Sequence, residues 1–160
     1  MIRASKEMAG GAMSPCLSTV LSGPILAGKE NTMAIVENQR AAEIPWRPGY
    51  RRFTLAGPEQ GVACSASLSV IEPGAGAPTH FHNTADEVII VLDGALEMWI
   101  GDERRVVTAD HTVSLPAGVP HGFVALGPGP ARILAFLPQS GEAVATTYVE
   151  GGPPLSASRR

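Results

Sequence analysis

With 160 residues, 44% of them apolar and 17% charged, the chain is long enough to bury one proper core and too short to call for a second domain. The net charge is -3, and the arginines are scattered apart from the pairs Arg51-Arg52, Arg104-Arg105 and Arg159-Arg160, so there is no basic stripe for nucleic acid. No apolar run reaches the length that spans a membrane, and Gly74 and Gly76 lead into a histidine pair rather than into the helix a phosphate-binding or dinucleotide loop requires.

Residues 1–32 place Gly, Ser and Pro within a moderately apolar stretch behind Arg3 and Lys6, and Glu7 interrupts the basic end. This argues for a disordered extension, or for a true start at Met33, over a secretory signal. Thr32 to Glu43 is expected to form one short helix, capped by Thr32 and stopped by Pro45, so the extension covers residues 1–45. From Tyr50 onward the pattern changes to short apolar or alternating runs: RRFTLAG, VACSASLSVI, THFH, EVIIVL, LEMWIG, RRVVTA, HTVSLP, GFVALG, RILAFL and ATTYV. Runs of this kind, about 8 to 12 residues apart and separated by Gly, Pro and Asp, predict an all-β sandwich or barrel. No solenoid period occurs, so one small barrel over residues 46–150 is the economical reading. The tail at residues 151–160, GGPPLSASRR, is expected to be disordered. Cys16 lies in the extension and Cys64 in an apolar strand, which implies no disulfide framework and suits a reducing cytoplasm.

The stretch from Gly74 to Gly94, GAGAPTHFHNTADEVIIVLDG, carries the chemistry. His80 and His82 are two apart, and in a strand that spacing points both imidazoles to one face. The turn-favouring residues Asn83, Thr84 and Asp86 follow, and the next strand opens on Glu87. Glu87 is therefore expected to return beside the histidines from the neighbouring strand. A fourth ligand comes from LPAGVPHGF, where Pro116, Gly118 and Pro120 shape a turn that delivers His121 to the start of an apolar strand. A lone histidine in a strand is usually structural, but three imidazoles and a carboxylate brought together from adjacent strands suit a divalent first-row metal. His111, in a turn between Asp110 and Thr112, reads as a surface residue.

These residues carry a resemblance to the cupins. The first cupin motif is Gly, five residues, His, one residue, His, three or four residues, Glu, six residues, Gly; Gly74, His80, His82, Glu87 and Gly94 fill every fixed position. The second is Gly, five residues, Pro, one residue, Gly, two residues, His, three residues, Asn; Pro116, Gly118 and His121 match, while Asp110 and Ala125 stand at the outer positions. Asp tolerates a left-handed turn better than most residues, so Asp110 is expected to substitute for glycine. The resemblance implies a double-stranded β-helix, or jelly roll, and pairing of two copies as a homodimer.

Three imidazoles and one carboxylate leave open positions on a six-coordinate metal, the layout of a catalyst rather than of a closed structural site. Among small single-domain cupins the resemblance points to dioxygenases, including the quercetin dioxygenase-like group, acting on enols, diketones or flavonols. In that reading His80, His82, Glu87 and His121 hold Fe, Mn or Ni, with Zn as an alternative, and Glu87 is also the candidate catalytic base. Strand parity places Ile89 and Val91 with Glu87, and Phe123 with His121, as an apolar wall against a small-molecule substrate. Trp99 either lines the same pocket or fills the core, with the core favoured. Trp46 and Tyr50 are expected to cover a barrel edge. Two other readings use the same residues: a redox-neutral isomerase or lyase, and a cupin that binds a small ligand without catalysis. The region before the barrel shows no helix-turn-helix pattern, which argues against a DNA-reading regulator.

Overall fold

β-branched and alternating runs become strands wherever glycine, proline or aspartate lets the chain reverse. The computed structural model describes residues 34–140 and 144–155, so the expectations for residues 1–32 and 156–160 lie outside the described residues. Eleven strands form among those described: β1 (Glu43–Arg47), β2 (Tyr50–Ala56), β3 (Ser65–Ile71), β4 (Gly76–His82), β5 (Glu87–Asp93), β6 (Ala95–Ile100), β7 (Glu103–Thr108), β8 (Thr112–Leu115), β9 (His121–Leu126), β10 (Ala131–Leu137) and β11 (Thr146–Tyr148). All pair antiparallel. One sheet has the order β1-β2-β3-β10-β5-β8 and the other β11-β4-β9-β6-β7. The two sheets make the expected all-β jelly-roll barrel. Its core is built from inward positions of both sheets, including Ile71, Ile89, Leu96, Met98, Leu115 and Ile133, all essentially without solvent contact.

The N-terminal helix is corrected. Asn38–Arg40 forms a single 3₁₀ turn, and β1 has begun by Glu43 and runs through Pro45. Proline is tolerated there because β1 is an edge strand whose pairing with β2 is irregular between Ile44 and Arg47. The first strand therefore begins inside the segment assigned to the extension. The tail is corrected as well for residues 151–155: Leu155 N donates to Trp46 O at 2.9 Å, Arg47 Nη2 donates to Gly152 O, and Pro154 is buried. A proline-rich strap of this kind lies along β1 because its backbone groups find partners there.

Two turn positions explain how the motif residues are set. Asp110 adopts φ 67°, the left-handed conformation for which aspartate was expected to replace glycine. At Gly76 an added Cβ would lie 1.9 Å from Phe123 O, so the close approach of β4 to β9 requires glycine. That approach is tied off where Ala125 N donates to Ala75 O at 2.8 Å and Gly74 N to Ala125 O at 2.9 Å.

Candidate metal centre

β4 carries His80 and His82 on its inner face, and β9 opens on His121 directly across from His80 in the antiparallel register. Glu87 opens β5, which belongs to the opposite sheet. The carboxylate thus reaches the histidines across the barrel rather than from a hydrogen-bonded neighbour, which corrects the expected adjacency. Four residues between β4 and β5 are enough to cross from sheet to sheet, and β8 pairs with β5 so that Leu115 lies opposite Glu87.

All four ligand side chains are buried, and one donor atom from each lies within 4.8 Å of the others. His82 Nε2 is 3.3 Å and His121 Nε2 3.2 Å from Glu87 Oε2. The outer ring nitrogens are all engaged. His80 Nδ1 is 2.8 Å from Pro78 O and His121 Nδ1 2.8 Å from Val119 O. A carbonyl oxygen only accepts, so both Nδ1 atoms donate a proton outward and both Nε2 atoms are turned in toward the cluster. His82 Nδ1 has Thr146 Oγ1 of β11 at 2.8 Å as its partner. His121 Nε2 is nevertheless buried without a hydrogen bond. Three oriented imidazoles, one carboxylate and a buried, unpartnered ring nitrogen among them fit a divalent first-row metal.

The electrostatics agree with this arrangement. Burial lowers His80 to about 4, with the charge of His121 acting in the same direction, so its imidazole is neutral and available to a cation. Burial works to raise the Glu87 carboxyl, but the facing imidazoles of His121 and His82 outweigh it and hold Glu87 at about 2.

The cluster opens on a cavity of about 600 Å³. Phe123 lines it, as strand parity predicts. Ile89 and Val91 point inward but do not line it; they lie deeper along β5 in the closed core, each 1% exposed. Trp99 is neither in the cavity nor in the core. It lies on the outer face of its sheet, stacked against Gly122, with its Nε1 donating to Thr79 Oγ1 at 3.0 Å and Arg104 5.2 Å from its ring centroid. His111 is exposed and near the Thr108 carbonyl, as expected of a surface residue.

The cavity also has a wall that sequence reasoning assigned elsewhere. Trp46 and Arg47 on β1, Tyr50 and Arg52 on β2 and Tyr148 on β11 all face it. Tyr50 packs 5.9 Å from the ring of Phe123, and Tyr148 stacks on His80 at 5.6 Å. Burial raises the Tyr50 hydroxyl, partly opposed by the Arg52 charge, and burial likewise raises Tyr148 against Arg47. Alternation along β2 groups Tyr50 with Arg52, a signal present in the sequence. It does not say which face looks inward.

The fold defines a small jelly-roll protein with a buried four-residue cluster that could hold a metal ion. Residues 67–137 match the family model described as Cupin domain, and the chain therefore carries a cupin domain. Over 50 residues it is 38% identical to quercetin 2,3-dioxygenase of Bacillus subtilis, covering 31% of this chain and 15% of that protein. Over 91 residues it is 34% identical to germin-like protein 1-1 of Oryza sativa subsp. japonica, covering 52% of this chain and 42% of that protein. It thus spans less than half the length of either relative. Among solved structures it resembles KdgF from Halomonas sp., with 26% identity, a TM-score of 0.61, and coverage of 69% of this chain and 98% of that one. Among the described residues no helix is long and apolar enough to cross a membrane.

Proposed function

We propose that this cupin is a metal-dependent oxidoreductase of dioxygenase type, acting on a small enol, diketone or flavonol. The observation that carries the reading is a buried three-histidine, one-carboxylate set facing a roomy, aromatic-walled cavity. Bound by His80, His82, Glu87 and His121, an iron, manganese or nickel ion, or zinc in the redox-neutral case, supplies Lewis acidity and sites for oxygen donors. The protein's own groups do the rest. Pro78 O, Val119 O and Thr146 Oγ1 hold the three imidazoles in orientation. Phe123, Tyr50 and Trp46 pack a planar substrate and exclude water. Glu87 is ionised across the neutral range and is the acceptor for a substrate hydroxyl proton. Its depressed pKa makes it a weak base, so it favours acidic enols over simple alcohols. The likeness of one stretch to quercetin 2,3-dioxygenase supports the oxidative assignment.

A redox-neutral isomerase or lyase is the second reading. It is favoured by Tyr50 and Tyr148, which give the cavity acid-base groups besides the ligands. Cysteine usage supports placing the protein in the cytoplasm, and family habit supports a homodimer.

Elemental analysis of protein purified without chelators, with His82→Ala alongside, tests the centre. About one iron, manganese or nickel per chain, lost in the variant, is expected. Oxygen uptake with enols, diketones and flavonols then tests the chemistry. Unchanged metal content in His82→Ala refutes the ligand assignment, and turnover without oxygen uptake moves the protein to the redox-neutral class.

A further inference from the structure

The wall opposite the histidines is cationic. Arg47, Arg52 and Glu87 are the charged residues that line the cavity among those described, and the Glu87 carboxylate faces the imidazoles of His82 and His121 at 3.3 and 3.2 Å. Neither arginine pairs with a carboxylate among the described residues. Arg47 spends one donor on Gly152 O and stands 5.4 Å from the centroid of the Tyr148 ring. Arg52 stacks 4.3 Å from the centroid of the Trp46 ring, and its Nε is buried with no hydrogen-bond partner. Ser67 Oγ on the adjacent β3 is likewise buried, unpartnered and on the cavity.

Leaving a buried guanidinium donor unpaired is costly, and such donors match the planar geometry of a carboxylate. Aromatic contacts connect this wall to the histidine cluster: Tyr148 stacks on His80 and lies 5.4 Å from Arg47, and Tyr50 packs against both Trp46 and Phe123. A ligand with an enol or keto oxygen at one end and a carboxylate a few bonds away fits between them.

We infer that the substrate of this centre is an organic anion, an enolisable keto acid whose carboxylate is received by Arg52, with Arg47 and Ser67 beside it. This rests on the proposed metal-centred reading but concerns the opposite wall. It narrows the substrate from enols in general to those carrying a carboxylate.

The test is calorimetric titration of the full chain, metal-loaded and chelator-treated, with two probes that share a β-diketone: neutral pentane-2,4-dione and anionic 2,4-dioxopentanoate. In wild type the anion should bind roughly tenfold or more tightly than the dione, with or without metal, as expected for a charge-assisted pair. In Arg52→Gln that ratio should collapse toward one, and Arg52→Lys should retain part of it. Equal affinities in wild type, or a preference that survives in Arg52→Gln, overturn the assignment. If thermal melting shows that Arg52→Gln does not fold, Arg47→Gln is read by the same two outcomes. A chain that takes up no metal yet keeps an arginine-dependent preference overturns the metal-centred function and leaves the anion site standing. Metal uptake without the preference does the reverse.

Discussion

Each ligand histidine has its Nδ1 tied to an oxygen held by backbone or by a neighbouring strand, and this decides how the centre responds to acid. His80, lowered to about 4 by burial, is neutral in the fold and protonates near 6.5 once unfolded. Between those values the unfolded chain binds more protons, so the stability of metal-free protein falls as pH drops from about 6.5 to about 4. The loss is roughly 3 kcal/mol at most. Glu87, held at about 2, has the depressed-carboxylate sign: its contribution is complete above the unfolded value near 4.5 and is lost as pH falls through about 2. Thermal melting of chelator-treated protein against pH checks both limbs, and His80→Asn should remove the upper one; a flat profile from pH 7 to 4 contradicts the assignment. At this scale the clustered residues were legible in the sequence, because His80, His82 and Glu87 lie within one short stretch and His121 follows a proline-glycine turn. Thr146, Tyr148, Arg47 and Arg52 were not, because nothing in local spacing relates them to residues tens of positions away.

Between elements, the close contacts are made by glycines at strand crossings. Gly122 follows the ligand His121 on β9, and an added Cβ there would lie 2.5 Å from the Trp99 ring. The ring is held by its bond to Thr79 and by Arg104 over its face, so it has little freedom to yield. Gly122→Ala should destabilise by about 1 to 3 kcal/mol through overpacking, and a second change, Trp99→Leu, should restore part of the loss. Denaturant unfolding of the two single variants and the double measures the coupling; additive effects would mean that the ring gives way. Strand positions were readable here from period-two alternation, since ten of the eleven strands fall on runs quoted from the sequence. β1 escaped because Pro45 and the charged ends of EIPWR disguise an edge strand.

For the molecule as a whole, a metal held by the four-residue cluster would be linked to folding. The four ligands come from β4, β5 and β9 in two different sheets, so a bound cation staples the sheets together. Chelation should lower the melting temperature. At a free metal concentration about 100 times its dissociation constant, the stabilisation lost is about 2.7 kcal/mol. The effect should persist in a variant lacking residues 1–32, because residues 31–160 cluster as one unit by themselves. A melting temperature indifferent to chelator would show that the cation does not staple the fold, and a large drop on deletion alone would show that the extension contributes to the core.

The sequence by itself determined the strand count among the described residues to within one, the all-β class and which four residues cluster as candidate ligands, because alternation, turn residues and ligand spacing are local properties carried by a few residues at a time. Only the tertiary structure decided that Glu87 arrives from the opposite sheet, that Ile89 and Val91 lie below the cavity and Trp99 outside it, and that Tyr50, Arg52 and Tyr148 line that cavity. Parity says which residues share a face of a strand, but which face turns inward is decided by how the two sheets close on each other.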